Sequence, residues 1–197
     1  MLRIIAGRHR GLKLTPLSGG NVRPTAGRAR EAIFNILAHA AFAPRPAYED
    51  AIVLDAFAGT GALGLEALSR GARFVSFMER DRTARGVLTA NVAALTATRQ
   101  TAVQAADALR PPRASAPASL VFLDPPYAED WASPALTALA AAGWLLPEAI
   151  AVVELAAKRD FIPSADFVPL DERRYGAAKI VFLRYSAATA ASKAGRS

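Results

Sequence analysis

Apolar residues along this chain fall into two alternating patterns. Ile52-Val53-Leu54, Phe74 to Met78 and Leu120 to Leu123 are short, mostly unbroken apolar runs, the mark of strands buried on both faces. Ala62 to Ser69, Thr83 to Leu95 and Pro134 to Ala142 show helical spacing instead. With Thr101 to Ala105 and Ile150 to Val153 as further strands, the alternation predicts an α/β fold, a Rossmann-like, mostly parallel sheet covered by helices. The end of the chain departs from it. Phe167 to Leu170 and Lys179 to Tyr185, joined through Arg173-Arg174-Tyr175-Gly176, predict an antiparallel pair that closes the sheet.

The region before Ala51 is organised differently. Two β-prone stretches flank Gly7-Arg8-His9-Arg10-Gly11, which predicts a small N-terminal β-hairpin with a charged tip. Thr25 is placed to cap a helix reaching about Ala40, since Ala29, Ala32, Ile33, Ile36, Leu37 and Ala40 share one face. Pro44 and Pro46 mark a linker. The chain thus divides into a basic extension over 1–24, a main domain over 25–186 and a small, polar tail over 187–197 that is expected to be disordered.

Composition narrows the chemistry. The 197 residues are 52% hydrophobic and 21% charged, enough for a packed core, and include no Cys. A disulfide framework, a Cys-held zinc or iron–sulfur site and a Cys nucleophile are therefore excluded, and no metal is expected. Neither a signal-peptide core nor a membrane-length apolar run is present, so a soluble, cytoplasmic protein is expected. The formal net charge is +7, and it is unevenly placed. Arg3, Arg8, Arg10, Lys13, Arg23, Arg28 and Arg30 all precede the first acidic residue, Glu31, so this segment carries the whole excess. Such a segment suits a polyanion partner, although a solvated face or a flexible arm would have the same composition.

The loop after the first strand is Asp55-Ala56-Phe57-Ala58-Gly59-Thr60-Gly61-Ala62-Leu63-Gly64. Its glycine spacing matches a dinucleotide fingerprint, and glycines let backbone approach a ligand. Asp55 argues against a pyrophosphate, which it would repel. The positive sulfur and ammonium of S-adenosylmethionine have the opposite requirement. Glu79, ending the second strand, can accept both ribose hydroxyls, as an acid does in either cofactor class. Asp107, after the third strand, is placed for the adenine amino group, or is simply a solvated loop carboxylate.

Asp124-Pro125-Pro126-Tyr127 follows the fourth strand. Two prolines cannot extend a ladder, so the chain must leave the sheet in a stiff turn at its carboxyl edge. The chemistry assigns each residue a role. The lone pair of an exocyclic amino group on a nucleobase is delocalised into the ring. Asp124 and the Pro125 carbonyl can accept its two hydrogens, pull the nitrogen toward tetrahedral geometry and aim the lone pair at a methyl group. Pro126 stiffens the turn, and Tyr127 offers a stacking face.

Taken together, four segments carry a family resemblance: R-I-I-A-G-R-H-R-G-L-K-L, R-P-T-A-G-R-A-R-E-A-I-F-N-I-L, V-L-D-A-F-A-G-T-G-A-L-G-L-E-A-L-S-R-G-A and L-D-P-P-Y. Their order and spacing resemble the bacterial 16S ribosomal RNA guanine-N2 methyltransferase family, from Arg3 to about Tyr185. The resemblance implies a seven-stranded S-adenosylmethionine fold whose hairpin helps hold ribosomal RNA, with Arg8, Arg10, Lys13 and Arg23 as the candidate RNA-binding residues. It implies Asp124 to Tyr127 as the catalytic loop and Asp55, Phe57, Gly59, Gly61 and Glu79 as cofactor residues. Arg23-Pro24-Thr25 would cover the cofactor and shape the base pocket. Ala56 and Thr60 depart from the residues common there without disturbing backbone contacts. The expected substrate is small-subunit ribosomal RNA, free or in a particle, and the expected state a monomer. A DNA adenine or cytosine amino-methyltransferase would share this machinery. An NAD-dependent oxidoreductase or a pure RNA-binding module would leave Asp55 or the proline turn without a role.

Overall fold

A computed structural model of the chain describes residues 2–17, 24–43, 46–126 and 129–186, with side chains described from residue 27 onward in the first helix. Tyr127, Arg23 and the tail over 187–197, all singled out above, lie outside these residues. In chain order the elements are α1 (Pro24–His39), β1 (Ile52–Asp55), α2 (Ala62–Ser69), β2 (Phe74–Met78), α3 (Arg82–Ala94), β3 (Thr101–Gln104), β4 (Ala118–Leu123), α4 (Ala132–Ala141), β5 (Leu145–Ala156), β6 (Phe167–Tyr175) and β7 (Ala178–Tyr185). A 3-10 turn, Thr98–Gln100, leads into β3.

The strands form one seven-stranded sheet in the order β3-β2-β1-β4-β5-β7-β6. β1 lies between β2 and β4, and these pairings, with β2 to β3 and β4 to β5, are parallel. β7 runs antiparallel to both β5 and β6. The chain order reverses between β1 and β4, and in open sheets of this kind ligands bind in the crevice beyond the strand ends at that switch point. Asp55 and Asp124 stand at that crevice.

Local chemistry accounts for the element ends. Asp81 caps α3, accepting from the Ala84 N–H at 2.8 Å. α1 opens at Pro24 itself, so Thr25 lies inside the first turn and does not precede the helix as a cap. Proline suits that position because the N–H it lacks would have had no helical partner. β5 begins earlier than its apolar run suggests, passing through exposed Leu146, Pro147 and Glu148 before its buried stretch. The largest difference is at the sheet edge. Arg173 and Arg174 belong to β6, paired with Ile180 and Lys179, and the turn that follows contains Gly176 at φ +59°. Alternation conceals such an edge strand, because its polar residues dominate its sequence.

The hairpin is not a loose arm. Arg3 and Lys13 form an antiparallel bridge, and Ile4 and Leu14 enter the core cluster built on one face of the sheet with Ile33, Phe34 and Leu37 of α1. It is fastened to α2. Glu66, wholly buried, accepts from the Ile5 and Ala6 N–H groups at 2.8 and 3.0 Å and from Arg70 Nε at 2.7 Å. Ser69 accepts from the His9 N–H and donates to the Ala6 carbonyl. Gly7 is required at this junction: at φ +83°, a Cβ there would lie 1.9 Å from the Ser69 carbonyl oxygen.

Docking of the hairpin also divides the basic segment. Arg3, Arg8, Arg10, Lys13 and Arg28 are exposed. Arg30 is 6% exposed, donates to the Arg3 carbonyl at 2.6 Å and lies 3.8 Å from Glu66, so it holds the fold and not a partner.

Candidate active site

Asp55 ends the central strand, 1% exposed, and its Oδ2 accepts from the Gly64 N–H at 2.9 Å. That bond spans the glycine loop and fixes its return into α2. Gly61 and Gly64 are demanded by packing, since a Cβ would lie 2.3 Å from Leu88 and 2.4 Å from the Phe77 ring, respectively. Gly59 differs. At φ +52° it favours glycine, yet a Cβ there would meet nothing within 4 Å, so the loop borders open space.

Glu79 shapes the same loop from the end of β2. Its Oε2 accepts from the Gly59 N–H at 2.9 Å and its Oε1 from the Asp81 N–H at 2.8 Å. Asp107 accepts from the Leu109 N–H at 2.9 Å and pairs with Arg80 at 3.4 Å. Phe57 is half-buried in the loop, its ring beside Trp131. The backbone of Thr25 lies in the first turn of α1.

β4 delivers Asp124 to the crevice beside β1. Leu54 pairs with Val121 and Asp55 with Phe122, while Leu123 pairs with Val153 of β5. Asp55, Asp124 and Glu154 therefore reach one edge of the sheet from three adjacent strands. Pro125 is buried, whereas Asp124 and Pro126 are exposed.

Electrostatics reflect this crowding. Burial pushes Asp55 up to about 7 from an ordinary 3.8; the Gly64 N–H opposes the shift and the Glu79 carboxylate adds to it. Asp124 is raised well above its ordinary value by the surrounding protein, then by Glu154 and Asp55. Water reaches Asp124 from the crevice and moderates the first cause, but the two carboxylates act regardless. Glu154 gave no sign in the sequence, because a lone Glu in an apolar strand shows its neighbours only once β4 and β5 are paired.

These residues fit S-adenosylmethionine. The carboxylates at the crevice are anions whose ionisation a sulfonium and an ammonium would favour, and the open side of Gly59 leaves room beside the loop. Asp55 would hold the charged methionine end, and Glu79 the ribose. A pyrophosphate would gain nothing from Asp55.

Comparison with known proteins gives the family. The model of a family described as conserved hypothetical protein 95 matches residues 2–184. The ribosomal RNA small subunit methyltransferase D of Haemophilus influenzae is 36% identical over 179 residues, covering 89% of each chain. The protein of that name from Escherichia coli K12 is 39% identical over 153 residues, 78% of this chain and 74% of its own. Among solved structures, a putative methyltransferase of Escherichia coli superposes with a TM-score of 0.80 at 35% identity, covering 94% of this chain and 98% of its own. A putative methylase of Haemophilus influenzae does so with a TM-score of 0.73 at 31% identity and the same coverage. The match therefore spans the hairpin, the glycine loop and the proline turn, and the chain belongs to the conserved hypothetical protein 95 family; both curated relatives named above carry the name ribosomal RNA small subunit methyltransferase D.

Proposed function

We propose that this protein transfers a methyl group from S-adenosylmethionine to the exocyclic N2 amino group of a guanine in 16S ribosomal RNA. The observation that carries this reading is the placement of Asp124 and the proline turn beside Asp55 and the glycine loop at one switch point. When bound, S-adenosylmethionine supplies an electrophilic methyl group.

The residues of the chain do the rest. Asp124 and the Pro125 carbonyl accept the hydrogens of the amino group, and the stiffness of the turn keeps both acceptors in place without reorganisation. A carboxylate with a raised pKa is also a competent acceptor for the proton that the nitrogen must release. Tyr127 is assigned the stacking of the base. The exposed Arg8, Arg10 and Lys13, on a hairpin rigidly joined to α2, are assigned phosphate contacts, and Arg23 joins them in this reading.

Substrate class follows from kinship, since the relatives named above are ribosomal RNA small subunit methyltransferases. RNA loops present splayed bases without duplex melting. Among the described residues no helix is long and apolar enough to cross a membrane. Incubating the protein with unmodified 16S RNA, free or in small subunits, and labelled cofactor should yield N2-methylguanosine on nucleoside analysis. A methylated adenine or cytosine in DNA, with no RNA product, would overturn the reading.

Asp55 adds a pH signature. Its raised pKa means that the cofactor-free protein is stabilised by a protonated Asp55 at low pH, and this contribution is lost as pH rises through about 7. A cation bound beside it favours the ionised form. Cofactor affinity should therefore rise with pH up to about 7, by at most about tenfold per unit, and then level off. Calorimetry across that range measures it. Asp55→Asn should bind more weakly and lose this component of the slope; an identical profile in the variant would remove Asp55 from cofactor binding.

A further inference from the structure

Trp131 has no role in the mechanism above, yet it occupies a singular position. It is the N-cap residue of α4, at the far end of the segment that begins with Asp124, and it is only half-buried. The Phe57 ring lies beside its indole at 6.4 Å between centroids and 18° from parallel. The Arg80 guanidinium stands over the indole at 4.6 Å and pairs with Asp107 at 3.4 Å.

Each of these partners comes from a different strand end. Phe57 follows β1, Arg80 follows β2, Asp107 follows β3 and Trp131 follows β4. Phe57 belongs to the glycine loop, Arg80 is adjacent in sequence to Glu79, and Asp107 is the carboxylate placed for an adenine amino group. Phe57, Arg80 and Asp107 therefore all adjoin the part of the crevice assigned to the adenosine of the cofactor.

The ring geometry adds a second argument. Two nearly parallel rings 6.4 Å apart are either strongly offset or spaced from one another. In both arrangements much of their aromatic surface remains uncovered. A large apolar ring left partly uncovered in a ligand crevice is a surface for another flat ring, and adenine is one. Arg80 holds the indole in place, since its charge stands over the ring.

We propose that Trp131, held by Phe57 beside it and Arg80 over its ring, is an adenosine-binding residue that forms an aromatic wall of the cofactor site and ties cofactor occupancy to the segment carrying Asp124. The proposal rests on the S-adenosylmethionine reading above. It identifies a cofactor contact that no glycine or carboxylate motif reveals.

Tryptophan fluorescence tests it without requiring a variant to fold. The chain has two tryptophans, and the other, Trp144, is wholly buried in the core with its indole N–H donated to the Pro112 carbonyl. Titration of the full chain with S-adenosylhomocysteine, followed in parallel by calorimetry, should give a saturable fluorescence change. Trp131→Phe should bind with nearly unchanged affinity but lose that change, while Trp131→Ala should weaken binding about tenfold, the scale of one lost stacking contact. Calorimetric binding without a response from Trp131, or unchanged affinity in Trp131→Ala, would overturn the proposal and leave Trp131 a strut of the loop. Absence of calorimetric binding to the unaltered protein would instead overturn the cofactor reading, and this inference with it.

Discussion

Asp124→Ala is expected to reduce methyl transfer by about a thousandfold or more while leaving cofactor affinity within a few-fold. Asp124 leaves β4 at the crevice, accessible from the open side, and is followed by the buried Pro125. Its carboxylate acts on the amino group of the substrate, whereas Asp55 and Glu79 anchor the glycine loop by bonds to Gly64 and Gly59 that Asp124 does not share. Removing it deletes a hydrogen acceptor in the transition state and the nearest acceptor for the released proton. Asp124→Asn keeps an acceptor oxygen but cannot take up that proton, so its rate should fall between those of the alanine variant and the parent. Single-turnover measurement on 16S RNA separates these rates from binding. Full activity in Asp124→Ala would sink the mechanism; lost cofactor binding would move Asp124 into the cofactor site.

Glu66→Ala should cost about 3 to 5 kcal/mol of stability, the usual consequence of removing one partner from a buried ionic cluster. Glu66 is wholly buried and is met by Arg70 at 2.7 Å and Arg30 at 3.8 Å. Its loss leaves two guanidinium groups without their shared anion and the Ile5 and Ala6 N–H groups without an acceptor. Denaturant unfolding measures the cost, and a melting transition like that of the parent would refute it. The hairpin should loosen with it, so RNA affinity falls although no basic residue has changed. Arg8→Ala, Arg10→Ala and Lys13→Ala combined make the converse case. These side chains are exposed, so stability should barely move, while the salt dependence of RNA binding should flatten by roughly one unit of slope per lost phosphate contact. An unchanged slope would return the charged tip to a solvated surface.

How much of this was legible in the chain differs from feature to feature. Ile52-Val53-Leu54 and Leu120 to Leu123 declared themselves, because parallel strands are covered on both faces and need unbroken apolar runs. The cofactor loop was legible too: Gly61 and Gly64 stand where a side chain would strike Leu88 or Phe77. Arg173 and Arg174 lie in β6 and not in the turn their sequence suggests, since an edge strand with polar residues has no apolar pattern to mark it. The count of basic residues concealed a division as well, because Arg30 turns inward to Glu66 while Arg8 and Arg10 turn outward. Thr25 is not the cap its pattern suggests, because the helix already begins at Pro24, two residues before a Thr25 cap would start it.

The sequence by itself determined the α/β class, the order of its strands along the chain, the glycine loop and the Asp124-Pro125-Pro126 turn. All of these are local: a strand, a helix start or a stiff turn is encoded within a few neighbouring residues. Only the tertiary structure decided that Glu66 clamps the hairpin, that Glu154 raises Asp124, and that Trp131 meets both Phe57 and Arg80. Each of these joins side chains from separate elements. Such contacts arise from strand pairing and helix packing, which place distant residues together according to a register that no local pattern records.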